Sequence, residues 1–483
     1  MSFKKGQGIS RRQVLRTMAR GAVVAGVGSF AAACGSAPTT TVPAASTGAA
    51  ASTGAAAPAG GAASTAAAAP AGATTLQFIT PAAVGREREL YQGFINDFQK
   101  ANPDITVNVS FEAWTDYMTK LPTILASGAV PDVIHQHVSV VQDYGARGAL
   151  MDLTSLMQRN NVKPEDYIPA LFESFGRDGK TFAIPKDSAA WGIYYNKAMF
   201  DAAGLEYPKD DWTLEDFRRL AIELTRDQNG NSASSPNFDR ANIKQFGFNW
   251  LEPTPTTTEV TRGFLKAFGG DWYNAEYNET LITQPAAIEY FKMMEELRCQ
   301  VNATPQAAQA ASQGDPFRSG LVAMIHSFHV MDYFMREEKI EFPYDVTYLP
   351  KGPGGQFVPV GASGWAIPAK AQNPEASWKL VQYLTSAEVQ EAIGKIGRWG
   401  VSRKEAIDAI IPQNPISGFA KVHTDPLQGK SDREVIGFRF QPKQSEITQV
   451  YTSTMTPHWD CGGGDIAQSA ASAKEQIDAI LKE

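Results

Sequence analysis

The sequence predicts an α/β protein of two lobes, each a mostly parallel sheet flanked by helices. Three observations carry this. First, strand-like and helix-like runs alternate from Leu76 onward. Leu76–Ile79 is followed by an amphipathic run with Leu90, Tyr91, Phe94, Ile95 and Phe98 at helical spacing. The alternating Ile105, Val107 and Val109, a helix over Tyr117–Leu125, and the apolar Val133-Ile134 come next. Parallel strands joined by crossover helices produce this alternation. Second, two β-type runs, Thr181–Ile184 and Trp191–Tyr195, are separated by Pro185 and the polar step Lys186-Asp187-Ser188. A chain leaving one lobe for another makes such a step. Third, the 483 residues suffice for two full cores even after an N-terminal segment of unusual composition is set aside.

That segment has two parts. Within residues 1–34, Ser10-Arg11-Arg12-Gln13-Val14-Leu15-Arg16 resembles a twin-arginine export signal, the route for chains that cross already folded. The apolar Gly21–Ala33 is shorter than the roughly 20 residues that span a bilayer. Ala31-Ala32-Ala33-Cys34 resembles a lipobox, with Ala31 where Leu is commoner. Acylation would make Cys34 the mature first residue and tie the protein to a membrane; the other reading is an ordinary small-residue cleavage site beside an incidental Cys. Residues 35–74 are almost entirely Ala, Gly, Thr, Ser and Pro. Without large apolar side chains they cannot offset the entropy of ordering, and they read as a disordered tether.

The remaining elements follow from local signals. Asp178-Gly179 is a turn, and a helix from Lys197 ends at Gly204 as a C-cap. Thr213-Leu214-Glu215-Asp216 is a capping box that starts a helix through Leu224. Asp227-x-Asn229-x-Asn231 has the spacing of a calcium loop without its Gly and bidentate Glu, so Asp227–Pro236 reads as a turn. Phe246–Asn249 reads as a strand, Ala286–Arg298 and Ile466–Leu481 as helices, and Asn373-Pro374 as an N-cap with Pro at N1.

Composition excludes some functions. The net charge of -7, with no basic stripe, argues against nucleic acid as a partner. Three cysteines are too few for a disulfide scaffold; Cys299 and Cys461 are either a disulfide or two free thiols. Gly179-Lys180-Thr181 fails as a phosphate loop because Ser174 stands at the earlier Gly position. There is no HExxH, no G-x-S-x-G elbow and no pair of carboxylates set for glycosidase work, so no catalytic residue is assigned.

GKTFAIPKD…YYNKAMFDAAGL followed by DWTLEDFRRLAIELT resembles the signature of family 1 bacterial extracellular solute-binding proteins, the ABC-importer group that includes maltose-binding protein. Further pieces resemble the family in order: Ala126-Ser127-Gly128 with Pro131-Asp132-Val133-Ile134, Phe317-Arg318-Ser319-Gly320 with Ala323-Met324, Leu349 to Gly355, and GASGWAIPAKAQNPEASWKLVQYLTSAEVQ. The resemblance covers Leu76 to the C-terminus. It implies the two-lobed periplasmic-binding-protein fold of class II type, with residues 75–186 and 350–385 in lobe 1 and residues 187–349 and 386–483 in lobe 2. It also implies a monomeric, non-enzymatic, extracytoplasmic receptor without cofactor. Such a receptor closes on a sugar or oligosaccharide and delivers it to permease subunits. A non-sugar solute (polyol phosphate, polyamine, peptide or metal chelate) and an exported hydrolase are the alternatives.

A site for a sugar needs a flat aromatic platform for the ring's C–H face and carboxylate or amide groups at its hydroxyl rim. Trp191, Trp250, Trp272, Trp365, Trp399 and Trp459 fall on expected loops or strand ends, whereas Trp212 and Trp378 read as core. Trp250 with Glu252 pairs a platform with an acceptor. His135 and His137 share one face of an extended segment, and His326 and His329 follow Met324; they suit a metal ion or hydrogen bonds to a polar ligand. With no Cys nearby and a sugar-binding resemblance, no metal is assigned. By position against the family pattern, the cleft draws on Thr80, Arg86, Gln136, His137, Asp187, Ser188, Trp250, Glu252, Trp272, His329, Trp365 and Trp399.

Overall fold

The computed structural model describes residues 74–81, 85–250, 259–306, 315–437 and 439–483. The expected signal, the lipobox with Cys34, residues 35–73 of the expected tether, and Glu252 lie outside them. Thr74, expected as the last tether residue, instead opens the first strand.

Strands β1 (Thr74–Thr80), β2 (Ile105–Phe111) and β3 (Val133–His137) pair in parallel, with β1 in the middle. Helices α1 (Gly85–Ala101) and α2 (Trp114–Ala126) alternate with them, as the sequence predicts, and α3 (Val138–Ala146), which the sequence reading does not include, follows β3. Leu76 and Phe78 of β1 share a core with Tyr91, Ile95 and Phe98 of α1. After α4 (Pro169–Ser174) a hairpin pairs Gly176–Arg177 with Lys180–Thr181. Its turn takes Asp178 and Gly179 to φ 52° and 77°, a left-handed pair that Asp-Gly accommodates. β4 (Ile184–Pro185) then completes the first pass through this sheet.

The second lobe begins with β5 (Ala189–Asn196) and α5 (Lys197–Ala203), which ends at Gly204 with φ 66°. Asn196 caps α5, its side chain accepting from Met199 N–H. The Thr213/Asp216 capping box starts α6 (Leu214–Glu223). β6 (Arg226–Asp227), β7 (Ile243–Trp250), α7 (Glu259–Ala267), α8 (Pro285–Glu295), β8 (Val322–Phe328), α9 (Val330–Glu337), β9 (Tyr344–Thr347) and β10 (Phe357–Gly361) follow. Then come β11 (Ser363–Ala366), α10 (Pro374–Leu384), α11 (Ala387–Ile396), β12 (Glu434–Ile436), α12 (Gln444–Trp459) and α13 (Ile466–Lys482).

The first sheet has the order β2-β1-β3-β11-β4 and the second β12-β10-β5-β8-β7-β6, with β9 also on β5. Both are mixed and not mostly parallel: in the second, only β8–β7 and β10–β12 run parallel. The cause is the crossing itself. The chain passes from β4 to β5 in one direction and from β10 to β11 in the other, so β10 is antiparallel to β5 and β11 to β4.

Two expected crossings move. The return to lobe 1 falls at Ala362 and not at 349/350, because Phe357–Gly361 is still a strand of the second sheet. The last passage follows α11 and does not precede it. Ser386 is the N-cap of α11, and Val389 and Ile393 bury in the first lobe's core. Asn373 is the N-cap of α10 with Pro374 following it, as expected, although its side-chain amide donates to Asp132 and makes no capping bond.

Asp227 accepts from the N–H groups of Asn229, Asn231 and Asp239 and from the Asn231 side chain, which makes it the centre of a self-contained turn. Burial alone would raise its pKa; these donors hold it at about 2. Cys299 and Cys461 form a disulfide, Cα–Cα 5.3 Å, that ties the end of α8 to the turn between α12 and α13. Trp212 and Trp378 are core residues.

Candidate functional site

The carboxyl ends of β1 and β3 meet β11 and all three chain crossings at one place. Edges where strands end and backbone changes direction are where α/β sheets present ligand-binding groups. His137 and Gln136 of β3 pair with Ser363 and Gly364 of β11. Asp187 Oδ1 accepts from Ser363 N–H at 2.5 Å, and its Oδ2 accepts from Lys186 Nζ at 2.7 Å. Ser188 N–H donates to Gly400 O at 3.1 Å, and Gly400 N–H donates to His329 Nε2.

Lys186 is the electrostatic centre, with its side chain 4% exposed. The ammonium lies 5.2 Å from the Trp365 ring centroid, 5.7 Å from Trp399 and 5.9 Å from Tyr91, an aromatic cage closed by Asp187. Burial works against its charge, but Asp187, Tyr91 and Glu87 outweigh that and raise its pKa. Glu87, at the start of α1, accepts from Trp399 Nε1 at 2.9 Å and pairs with Arg398 at 3.0 Å. Trp399 in turn stacks on Phe328 of the second lobe, with centroids 5.8 Å apart at 21°.

Around this cation the histidines are held neutral. Burial first, then Lys186 and His137, push His135 well below its ordinary range. His137 falls to about 4, from burial and Lys186 against the pull of Asp187. His326, wedged between Trp191 and Phe264, drops to about 3 through burial. At neutral pH these rings therefore act as hydrogen-bonding groups and not as cations.

Several of the buried polar atoms here have no hydrogen-bond partner among the described residues: both ring nitrogens of His135, both amide atoms of Gln136, and the indole Nε1 of Trp365 and Trp191. Buried polar atoms are normally paired; unpaired ones also occur in the cores, at Trp272 and Trp378, but here six fall along one seam. Trp114 stands beside them with 45% exposure, its ring edge-on to His135 and His137 at 5.6 and 5.5 Å. Among the described residues, no group of three His, Cys, Asp or Glu is placed to hold a metal ion.

Of the residues expected from sequence, Thr80, Gln136, His137, Asp187, Ser188, His329, Trp365 and Trp399 gather here. Their roles differ from a uniform lining. The Asp187 and His329 side chains are spent on backbone partners and, with the backbone N–H of Ser188, fasten the crossings, because each N–H and C=O bared by a change of direction needs one. Trp365 is fully buried against Phe78 and Tyr91 and forms a wall of the cage. Arg86 is outside it, reaching Glu337 of α9 at 3.6 Å. Trp272 is not in the site: it is fully buried in the second lobe against Tyr451 and Phe291. Trp250 ends β7 opposite His326; its side chain, like Glu252, lies outside the described residues. Sequence reasoning missed Trp114, Tyr91 and Glu87. Trp114 carried a signal, since it follows the end of β2 and so sits on the same sheet edge as Thr80 and His137.

Two sheets joined by three chain crossings, with a polar, aromatic seam between them, make a bilobal solute receptor. Known proteins agree. The chain belongs to the family described as bacterial extracellular solute-binding protein, whose model matches residues 82–391. It is therefore the extracellular solute-binding component of an ABC transporter, a role of binding and not of catalysis. The multiple sugar-binding protein of Streptococcus mutans is 24% identical over 314 residues, 62% of this chain and 68% of that one. An ABC substrate-binding protein from Listeria monocytogenes, solved in complex with cycloalternan, superposes with TM-score 0.71 at 21% identity, covering 85% of this chain and 99% of its own. UgpB from Mycobacterium tuberculosis, solved with glycerophosphocholine, gives 0.68 at 19% identity, covering 85% and 99%. Among the described residues no helix is long and apolar enough to cross a membrane.

Proposed function

We propose that this protein captures a sugar or oligosaccharide at the seam between its lobes and hands it to membrane permease subunits. The observation that carries the proposal is the set of partnerless buried atoms on His135, Gln136, Trp191 and Trp365, beside the exposed ring of Trp114. Neutral donors and acceptors among aromatic rings match a guest that has hydroxyls on its rim and C–H on its faces. The lobes close on the solute as a monomer, since contacts from both exist only when they meet. The Ser10–Arg16 motif directs export, and an acylated Cys34 holds the protein at the membrane through the Ala/Gly/Thr-rich stretch after it. Calorimetry against a panel of mono- and oligosaccharides is the test. Saturable heat from at least one sugar, lost in Trp114→Ala, supports the reading; silence across the panel, with saturation by another solute class, refutes it.

A second reading is a receptor for a phosphorylated polyol, favoured by the likeness to the glycerophosphocholine-bound structure. Glycerophosphodiesters in the same calorimeter separate the two.

A further inference from the structure

A second interlobe feature shares no residue with the site above. A groove with a cavity of about 660 Å³ lies between the two lobes. One bank is α4 and the hairpin of lobe 1, with Arg177 and Lys180; the other is lobe 2, with Arg262, Tyr277 and Arg439. The arginines form the interior, their side chains 19%, 16% and 36% exposed, whereas the carboxylates of Glu173, Asp178 and Glu434 are exposed at the rim.

The three arginines are not equivalent. The Arg262 guanidinium is closed: it donates to both oxygens of Asp271, at 2.9 and 2.7 Å, and to Gly437 O. Arg177 and Arg439 are open. Arg177 Nη1 and Arg439 Nε are buried without a hydrogen-bond partner among the described residues. Their shared counterion, Asp178, stands off at 3.5 and 3.6 Å, and its side chain is 77% exposed. Burial and the neighbouring Arg439 lower the pKa of Arg177, the mark of two cations facing one another without enough negative charge between them. Arg439 is fixed by lying over the Tyr277 ring at 5.2 Å. Two planar forks aimed into one cavity recognise an oxyanion, which can accept from both at once.

We propose that this groove is a binding site for a small oxyanion, a carboxylate or phosphoryl group, seated between Arg177 of one lobe and Arg439 of the other. The test is calorimetry on the unmodified protein at low ionic strength, with inorganic phosphate and with citrate as separate probes. Saturable binding of one of them is expected, phosphate alone pointing to a phosphoryl ligand and citrate alone to a carboxylate. Arg439→Gln and Arg177→Gln should each weaken it at least tenfold, while Lys395→Gln, a control that removes an exposed charge on α11, leaves it unchanged. Sugar binding should survive in all three variants, so failure here is distinguishable from failure of the solute reading. The proposal is overturned if neither anion saturates by roughly 10 mM, or if Lys395→Gln weakens binding as much as the groove variants do.

Discussion

Acid should unfold this protein well above the pH at which its carboxylates titrate, and the histidines set the size of the effect. His326 and His423 are fully enclosed, and burial brings each to about 3. An unfolded histidine titrates near 6.5, so below that pH the unfolded chain binds protons that the folded chain refuses. Stability is therefore intact above about pH 7 and falls as pH drops toward the folded values. Between pH 7 and 5 each such histidine removes about 2 kcal/mol, and the pair about 4 kcal/mol, against a total stability of roughly 5–15 kcal/mol. His135 and His329, also pushed well down, act in the same direction. His137, at about 4, adds nearly as much over the same interval. Urea melts at pH 7.5, 6 and 5 measure this directly: the midpoint should fall steeply and the protein should take up at least two protons on unfolding near pH 5. Replacing His423, which bonds Tyr194 and the Ala190 carbonyl, by Gln should remove about one proton from that uptake. Coincident midpoints at pH 7.5 and 5 would refute the reasoning, because neutral burial of these rings would then cost nothing.

Three further outcomes follow from single features. Reducing Cys299–Cys461 frees a span of 162 residues, worth up to about 5 kcal/mol of chain entropy, so dithiothreitol should lower Tm by several degrees; an unchanged melt counts against this estimate. Lys186→Met leaves Asp187 buried with Ser363 N–H as its remaining partner and should cost about 3–5 kcal/mol in a urea melt. Trp114→Ala should weaken sugar binding at least tenfold, about 1.4 kcal/mol, while leaving the melt in place, since the ring is exposed; a lower Tm with unchanged affinity would make Trp114 structural.

Much of the architecture was legible because the periodicities were strong. The first lobe's strand–helix alternation, the Thr213 capping box and the Gly204 C-cap rest on local chemistry that tertiary context did not override. The crossings were harder. The boundaries at 349/350 and 385/386 rest on the family resemblance, and local sequence does not correct them: Phe357–Gly361 carries no mark of its sheet, and Ser386 caps a helix that still packs on the first lobe. Which sheet a strand joins depends on partners far along the chain, and nothing in Phe357–Gly361 itself announces β5. The site was legible as a neighbourhood and not as roles. A tryptophan pattern does not distinguish Trp272, sealed among Phe291 and Tyr451, from Trp399, which spans from Glu87 to Phe328. Nor does it show that the Asp187 carboxylate is spent on the Ser363 N–H.

Those backbone groups have a mechanical consequence. Ser402 Oγ holds the Pro185 carbonyl, Gln390 Nε2 holds that of Lys186, Asp187 holds Ser363, and Ser188 holds Gly400. All three strings between the slabs are thus riveted at a single spot. Slabs pinned that way turn about the rivet and do not shear past one another, so any guest gripped far from it works at the end of a lever.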